Sequence, residues 1–135
     1  YKRQLSQGHD VLVTTARGPD DPMVARLAEA ITTSRATSSD VNARLGTALG
    51  QLVSDIRRKT KMQRIAISGG DTSGHALTQL GADALSAVAP LAPGAPLCRV
   101  HTGADPAIDG LEVTLKGGQM GQPTFFLEAK GGPQT

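Results

Sequence analysis

Residues 68–74, Ser-Gly-Gly-Asp-Thr-Ser-Gly, are of the types that bind phosphate. They stand between a short apolar run and a stretch with helical periodicity that begins at His75. Glycines between a strand and a helix let the backbone approach a ligand closely. The first amides of the helix then point at that ligand, with the positive end of the helix dipole behind them. The segment therefore predicts an anion site, with an ordinary capped turn as the alternative.

Asp71 limits what this turn can hold, because a carboxylate beside a bare phosphate is repelled. It fits better as a helix cap, as a ligand to a Mg²⁺ ion that also contacts the phosphates, or as a partner of a ribose hydroxyl. Neither a P-loop nor a Gly-x-Gly-x-x-Gly fingerprint is present at the required spacing. A dinucleotide oxidoreductase is therefore the least favoured class.

A second glycine-rich turn, Lys-Gly-Gly-Gln-Met-Gly at 116–121, follows a strand predicted over residues 110–115. Lys116 could balance phosphate charge, and Gly117 and Gly118 could let an adenine or ribose lie against the backbone. The alternative is a tight turn with a solvated lysine. Ligands of open α/β sheets bind at the carboxyl ends of the strands, so two such turns support each other.

Two further loops belong to the same prediction. Residues 17–22, Arg-Gly-Pro-Asp-Asp-Pro, could form a third loop at this edge of the sheet, and residues 93–96 could shape a wall of the pocket, although a plain turn is the simpler interpretation. His9, His75 and His101 do not have the spacing of a metal site. The single cysteine, Cys98, excludes an internal disulfide and is interpreted as a small apolar core residue.

The elements that must position these turns alternate between strands and helices, with a second half rich in glycine and proline. This pattern predicts an α/β fold with a mixed, largely parallel sheet flanked by helices and a turn-rich β second half. Strands are predicted over residues 10–15, 64–68, 84–91, 96–101 and 110–115. Helices are predicted from Pro22 after a cap at Asp20 or Asp21, from a cap at Ser38, Ser39 or Asp40 to about Lys59, from 75 to Gly81, and over 123–130 with Phe126 and Leu127 inward.

Length and charge bound the class of protein. The chain has 135 residues, enough for one domain, and a net charge of +2. The basic run at 57–64 lacks interleaved aromatic residues and is interpreted as a solvated helix end rather than a nucleic-acid patch. No apolar run is long enough to span a bilayer. Because the chain starts at Tyr1, and residues 1–8 are typical of a helix end or linker, we expect a fragment of a longer protein.

Four ordered motifs resemble one known family. They are Ile-Ser-Gly-Gly-Asp-Thr-Ser-Gly at 67–74, Leu-Gly at 80–81, Ala-Pro-Gly-Ala-Pro at 92–96 and Leu-Lys-Gly-Gly-Gln-Met-Gly at 115–121, followed by Phe125-Phe126. The order and spacing resemble the C-terminal nucleotide-binding domain of the four-carbon acid sugar kinase family, from residue 10 to about residue 127. The chain departs from many relatives at Met120, where they have Phe, and from some at Gly117, where they have Ser.

The resemblance implies a two-domain cytoplasmic enzyme that uses ATP and Mg²⁺ to phosphorylate tetronates, oxo-tetronates or related acid sugars. It implies that the substrate pocket and the catalytic base belong to an N-terminal domain outside this chain, so no catalytic residue is expected here and the fragment alone should be inactive. Neither a nucleic acid nor a membrane is expected as a partner, and a homo-oligomer stays open. The predicted nucleotide-binding residues are Gly69, Gly70, Asp71, Thr72, Ser73, Gly74, Lys116, Gly117 and Gly118, with Asp71 as the candidate metal ligand.

Two other functions stay open. One is a regulatory nucleotide-binding module without chemistry. The other is a structural or interaction domain, in keeping with the type III effector label that some relatives have carried.

Overall fold

The computed structural model describes residues 1–118 and 120–131. Gln119, one residue of the predicted turn at 116–121, lies outside the described residues. The elements are α1 (Lys2–Ser6), α2 (Pro22–Thr33), α3 (Ser38–Lys59), β1 (Arg64–Ser68), α4 (Gly70–Gln79), β2 (Ala84–Ala92), β3 (Ala95–His101), β4 (Glu112–Lys116) and α5 (Phe125–Gly131).

The four strands form one sheet in the order β1-β4-β3-β2. Strand β1 runs parallel to β4, whereas β3 is antiparallel to both β4 and β2. The α/β class and the mixed sheet are therefore confirmed, but the prediction that most of the sheet is parallel is wrong. One reason is that β2 and β3 are joined by a two-residue turn, which permits only an antiparallel pair.

The other reason is that residues 10–15 form no strand. Their apolar, β-branched composition predicted a buried strand, yet the side chains of Leu12 and Val13 are 71% and 50% exposed. The sheet therefore lacks one of the strands that were expected in it.

Helix α2 starts as predicted, because the Asp21 carboxylate accepts a hydrogen bond from the Met23 amide at 2.9 Å. Helix α3 ends at Lys59 as predicted, but its N-cap is Thr37 rather than Ser38, Ser39 or Asp40. Thr37 and Asp40 form a capping box in which each side chain accepts the other residue's backbone amide.

The capping box makes the stability of α3 dependent on pH. Hydrogen bonds from the Thr37 hydroxyl and amide hold the pKa of Asp40 below its usual 3.8. A depressed folded-state pKa contributes stability above the unfolded pKa, and this contribution disappears as the pH falls through the folded value. We therefore expect Asp40→Asn to lower the free energy of unfolding at neutral pH, with a difference from the unsubstituted protein that shrinks below about pH 4. Urea unfolding of both proteins across this range measures the difference, and a constant difference would contradict the assignment.

The main core lies between one face of the sheet and helices α3 and α4. It is formed by side chains of β1, β3, β4 and α4, including Ile67, Val100, Val113, Ala76 and Leu80. Cys98 is half-buried and packs against this cluster. Strand side chains alternate between the two faces, so the neighbouring positions face the other way, toward α5.

Helix α5 covers that second face, and it corrects one sequence prediction. Phe126 and Leu127 were expected to point inward, but they are 43% and 70% exposed. Phe125 and Ala129 are buried instead, at 1% and 4%. Because the helix begins at Phe125, residues spaced by four share its inner face.

The basic run is largely occupied by contacts within the chain, as expected of a helix end. Arg57 donates to the Ala107 and Met62 carbonyl oxygens, Arg58 pairs with Asp105, and Arg64 pairs with Glu112. Among the residues that the structure describes, none of the helices combines the length and apolar character needed to cross a bilayer.

Candidate functional site

The two glycine-rich turns leave the sheet side by side. Ser68 at the end of β1 lies opposite Lys116 at the end of β4 in parallel register. The Gly69 amide extends this pairing by donating to the Lys116 carbonyl oxygen at 2.9 Å. Residues 69–74 and 117–121 therefore start as neighbours at the same edge, as the sequence predicted.

The first turn presents backbone donors to the solvent. Gly69 has φ 129°, a conformation that favours glycine, and it is the N-cap of α4 without any capping side chain. The amides of Gly70, Asp71 and Thr72 occupy the first turn of α4, where a helix offers them no acceptor. A Cβ atom placed on Gly70 would meet no atom within 4 Å, so a ligand has room to approach. This geometry suits an anion.

The side chains of this turn divide into two groups. Asp71 is exposed and Thr72 half-buried at the start of α4, whereas Ser73 is buried, at 7% exposure. The Ser73 hydroxyl is hydrogen-bonded to the Gly69 and Gly70 carbonyl oxygens at 2.7 and 2.8 Å. Ser73 therefore braces the turn from inside, while Gly70 and Asp71 are exposed and Thr72 is half-buried. Gly74, one helical turn further on, is exposed and has no neighbour within 4 Å of an added Cβ.

Lys116 organises the second turn. Its ammonium donates to the carbonyl oxygens of Gly117 at 2.9 Å and Gly118 at 3.2 Å, and also to that of Met120. It lies 5.9 Å from the centroid of the Phe125 ring, within range of a cation–π contact. The sequence predicted that Lys116 could balance phosphate charge, or else be a solvated lysine in a tight turn; in the structure its ammonium contacts the carbonyl oxygens of its own turn. Gly118 is exposed, with open space around an added Cβ.

A third turn reaches the same edge. The Thr114 hydroxyl of β4 donates to the Ala95 carbonyl oxygen at 3.3 Å, and the Met120 methyl lies 3.6 Å from the position of a Cβ on Gly94. Beside this turn, a groove of about 830 Å³ runs between the end of β2 and α5. Its walls are Pro90, Leu91, Ala92, Pro93, Thr124, Leu127 and Glu128. Of residues 93–96, for which a plain turn was the simpler interpretation, Pro93 lines this groove.

Sequence analysis missed two residues that position the first turn. Gly46 and Gly50 of α3 are buried against α4. A Cβ on Gly46 would collide with the Cβ of His75 and lie 2.9 Å from the Thr72 carbonyl oxygen, and one on Gly50 would lie 2.7 Å from that of Ala76. Each glycine inside a helix costs about 1 kcal/mol relative to alanine. Two glycines four residues apart within one helix therefore indicate that another helix packs closely against that face.

A metal site built from protein side chains alone is not found among residues 1–118 and 120–131. No group of three or more His, Cys, Asp or Glu side chains there could hold an ion. His75 packs against Gly46 rather than facing the turn.

Residues 1–126 match the family model of the nucleotide-binding C-terminal domain. This chain belongs to that family. A Paraburkholderia graminis protein named 3-oxo-isoapionate kinase is 41% identical to the chain over 122 residues. The family match and this relative confirm the predicted resemblance to the C-terminal nucleotide-binding domain of four-carbon acid sugar kinases. The alignment covers 90% of the chain but 26% of the relative, so the chain spans about a quarter of that kinase's length.

Solved structures of two distant proteins share the fold of this nucleotide-binding domain. A Bordetella bronchiseptica protein, described as a domain of unknown function (DUF1537) with bound citrate in a domain-swapped dimer, superposes with a TM-score of 0.59 at 23% identity. That match covers 95% of the chain and 35% of the other protein. A Haemophilus influenzae protein of the same family gives 0.53 at 19% identity, covering 82% and 24%.

Proposed function

We propose that this domain is the ATP-binding part of a kinase that phosphorylates a four-carbon acid sugar, such as a tetronate, an oxo-tetronate or a related branched acid. One observation carries the proposal: the Gly69 and Lys116 turns begin as hydrogen-bonded neighbours at one edge of the sheet. A single nucleotide can therefore contact both.

The phosphates are proposed to lie on the first turn of α4. There the amides of Gly70, Asp71 and Thr72 would donate to phosphate oxygens, supported by the helix dipole. Because phosphoryl transfer needs mainly positioning and charge neutralisation, these donors supply what the reaction demands of this domain. The Asp71 carboxylate would hold Mg²⁺ jointly with the phosphates, and the ion would neutralise their charge.

The nucleoside is proposed to extend along the edge toward β2. Gly118, with open space around an added Cβ, would leave room for the ribose, while a Cβ on Gly117 would lie 3.3 Å from the Met120 side chain. The groove between Pro93 and Leu127 would take the base. The groove is lined largely by apolar side chains, as pockets for flat heterocycles generally are. It lies three strands from β1, about 14 Å away at the usual strand spacing.

The chemistry itself is proposed to need a second domain. The chain would hold ATP, and an N-terminal domain would supply the acid sugar and the general base, so this domain alone should bind nucleotide weakly and turn over nothing. A cytoplasmic enzyme fits the dependence on ATP. A homo-oligomer fits the domain-swapped dimer of the Bordetella structure.

The test is ATP consumption by the full-length protein with a panel of tetronates, oxo-tetronates and branched relatives, including 3-oxo-isoapionate. We expect phosphorylation of at least one member. ATP binding without turnover of any acid sugar would favour the regulatory module instead. The absence of any nucleotide binding would favour an interaction domain.

Lys116→Met should weaken ATP binding without unfolding the domain. Methionine keeps an apolar stem beside Phe125 but removes the ammonium that holds three carbonyl oxygens. A charge-assisted hydrogen bond contributes about 1.5–3 kcal/mol. The hydrogen bonds of the Lys116 ammonium are partly exposed, so we expect a loss near the lower limit, about tenfold in ATP affinity. Calorimetric titration with ATP measures this, and Lys116→Arg should retain most of the affinity. Unchanged binding by Lys116→Met would show that the turn needs no such brace.

A further inference from the structure

The segment at residues 11–15 has the composition of a strand but no partner. Its sequence is Val-Leu-Val-Thr-Thr, and it lies outside the helices and strands with Leu12 and Val13 exposed. Helix α2, which follows it, contains no buried residue. Met23, Val24 and Leu27 of that helix are 55%, 41% and 47% exposed. A twelve-residue helix is marginal in water unless its apolar face is covered, so this region has surface that still needs packing.

Strand β1 has a free edge with which such a segment could pair. It is the end strand of the sheet, and in the described part of the chain only β4 pairs with it. Native proteins rarely leave the edge of a strand uncovered. The five residues of β1 equal the five of the unpaired segment, so both span the same distance when extended.

Contacts through α5 link the segment to the start of β1. The Lys130 ammonium pairs with the Asp10 carboxylate at 2.7 Å. The Ala129 carbonyl oxygen, next to Lys130, accepts a hydrogen bond from Arg64 at 3.0 Å, and Arg64 is the first residue of β1. The C-terminal part of α5 therefore contacts both Asp10, which precedes the segment, and Arg64, at the start of β1. The two helices between them, α2 and α3, are the crossover that parallel neighbours require.

We propose that residues 11–15 pair with the free edge of β1 in the same chain as a fifth, parallel strand, and that this pairing brings the loop at residues 17–21 to the nucleotide edge. Parallel strands end at one edge, so this loop would follow the new strand beside Gly69. The loop already has a defined conformation, because the Asp21 carboxylate accepts hydrogen bonds from the Arg17 amide at 2.7 Å and the Met23 amide at 2.9 Å. Arg17 would then supply a cation to the phosphates. This last step rests on the proposed function.

Hydrogen exchange of the full-length protein tests the pairing without nucleotide. We expect alternate amides in residues 11–15 to exchange at least about 100-fold more slowly than in an unpaired chain, at a level independent of protein concentration. Val13→Pro, which cannot join a ladder, should abolish this protection. Exchange at the unpaired rate would overturn the inference, and so would protection that appears only at high concentration, because it would indicate pairing between chains.

Titration with ATP tests the loop. Arg17→Ala should weaken binding about tenfold while leaving the protection of residues 11–15 intact, and Arg26→Ala, on the exposed surface of α2, should bind as the unsubstituted protein does. If Arg17→Ala binds ATP normally, the loop does not reach the nucleotide and that part of the inference is wrong. If the segment is protected but no variant or parent binds ATP, the proposed function fails while the fifth strand stands.

Discussion

Gly70→Ala should weaken ATP binding about 30-fold while leaving the fold intact, because it would cost about one charge-assisted hydrogen bond of 2 kcal/mol. The added methyl group enters open space and meets no atom of the protein within 4 Å, so the folded chain accepts it. That same space is where the phosphates are proposed to approach the first amides of α4. Calorimetric titration with ATP measures the loss.

Gly103→Ala is the matched control for this experiment. Gly103 also lacks a positive φ, and an added Cβ there lies 3.9 Å from its nearest neighbour, the Asp83 carboxylate. It follows the end of β3, which runs antiparallel to β4, so it stands at the opposite edge of the sheet. The control should bind ATP normally. Equal losses in both variants would show that general destabilisation, rather than a blocked phosphate site, causes the effect.

Gly46→Ala should destabilise the domain by up to about 2 kcal/mol, although alanine is the better helix former. The new methyl group would collide with His75 and press on the Thr72 carbonyl oxygen, so α3 and α4 must separate. Overpacking of this kind costs about 1–3 kcal/mol, against about 1 kcal/mol gained from helix propensity. Because Thr72 belongs to the proposed phosphate turn, ATP affinity should fall as well.

Two further variants separate the loss of stability from the loss of ATP affinity. The methyl group added by Gly50→Ala would contact Ala76, one turn further along α4 than Thr72. This variant should therefore lose similar stability but less ATP affinity. Thr47→Ala, on the exposed side of α3, should be neutral or slightly stabilising. Urea unfolding and ATP titration measure both properties. A Gly46→Ala protein that is more stable than its parent would disprove the close packing of α3 on α4.

Local signals predicted most of the fold. The strand at 64–68 and the helix end at Lys59 followed from apolar periodicity, and the end of α4 followed from Gly81, whose φ of 68° stops the helix. The juxtaposition of the two glycine turns also followed, because both were placed after strands of one sheet. These features depend on residues within one element or one turn.

The predictions for residues 10–15 and for α5 were wrong for the same reason. Each depended on which part of the fold covers an apolar surface. Residues 10–15 have a strand's composition, but composition does not supply the neighbouring strand. Apolar periodicity alone could not show whether Phe125 or Phe126 faces the sheet, because a shift of one residue in the helix start turns its face by 100°. The contacts of Lys116 with its own turn could not be predicted from the sequence at all, because only the folded turn presents those carbonyl oxygens.

The central claim is that one nucleotide contacts both the turn after Gly69 and the turn after Lys116. One measurement tests this claim directly. It is a crystal structure of the full-length protein with a non-hydrolysable ATP analogue and Mg²⁺. We predict phosphate oxygens within hydrogen-bonding distance of the Gly70, Asp71 and Thr72 amides, with the ribose beside Gly118. An analogue bound elsewhere, with both turns free of it, would contradict the account.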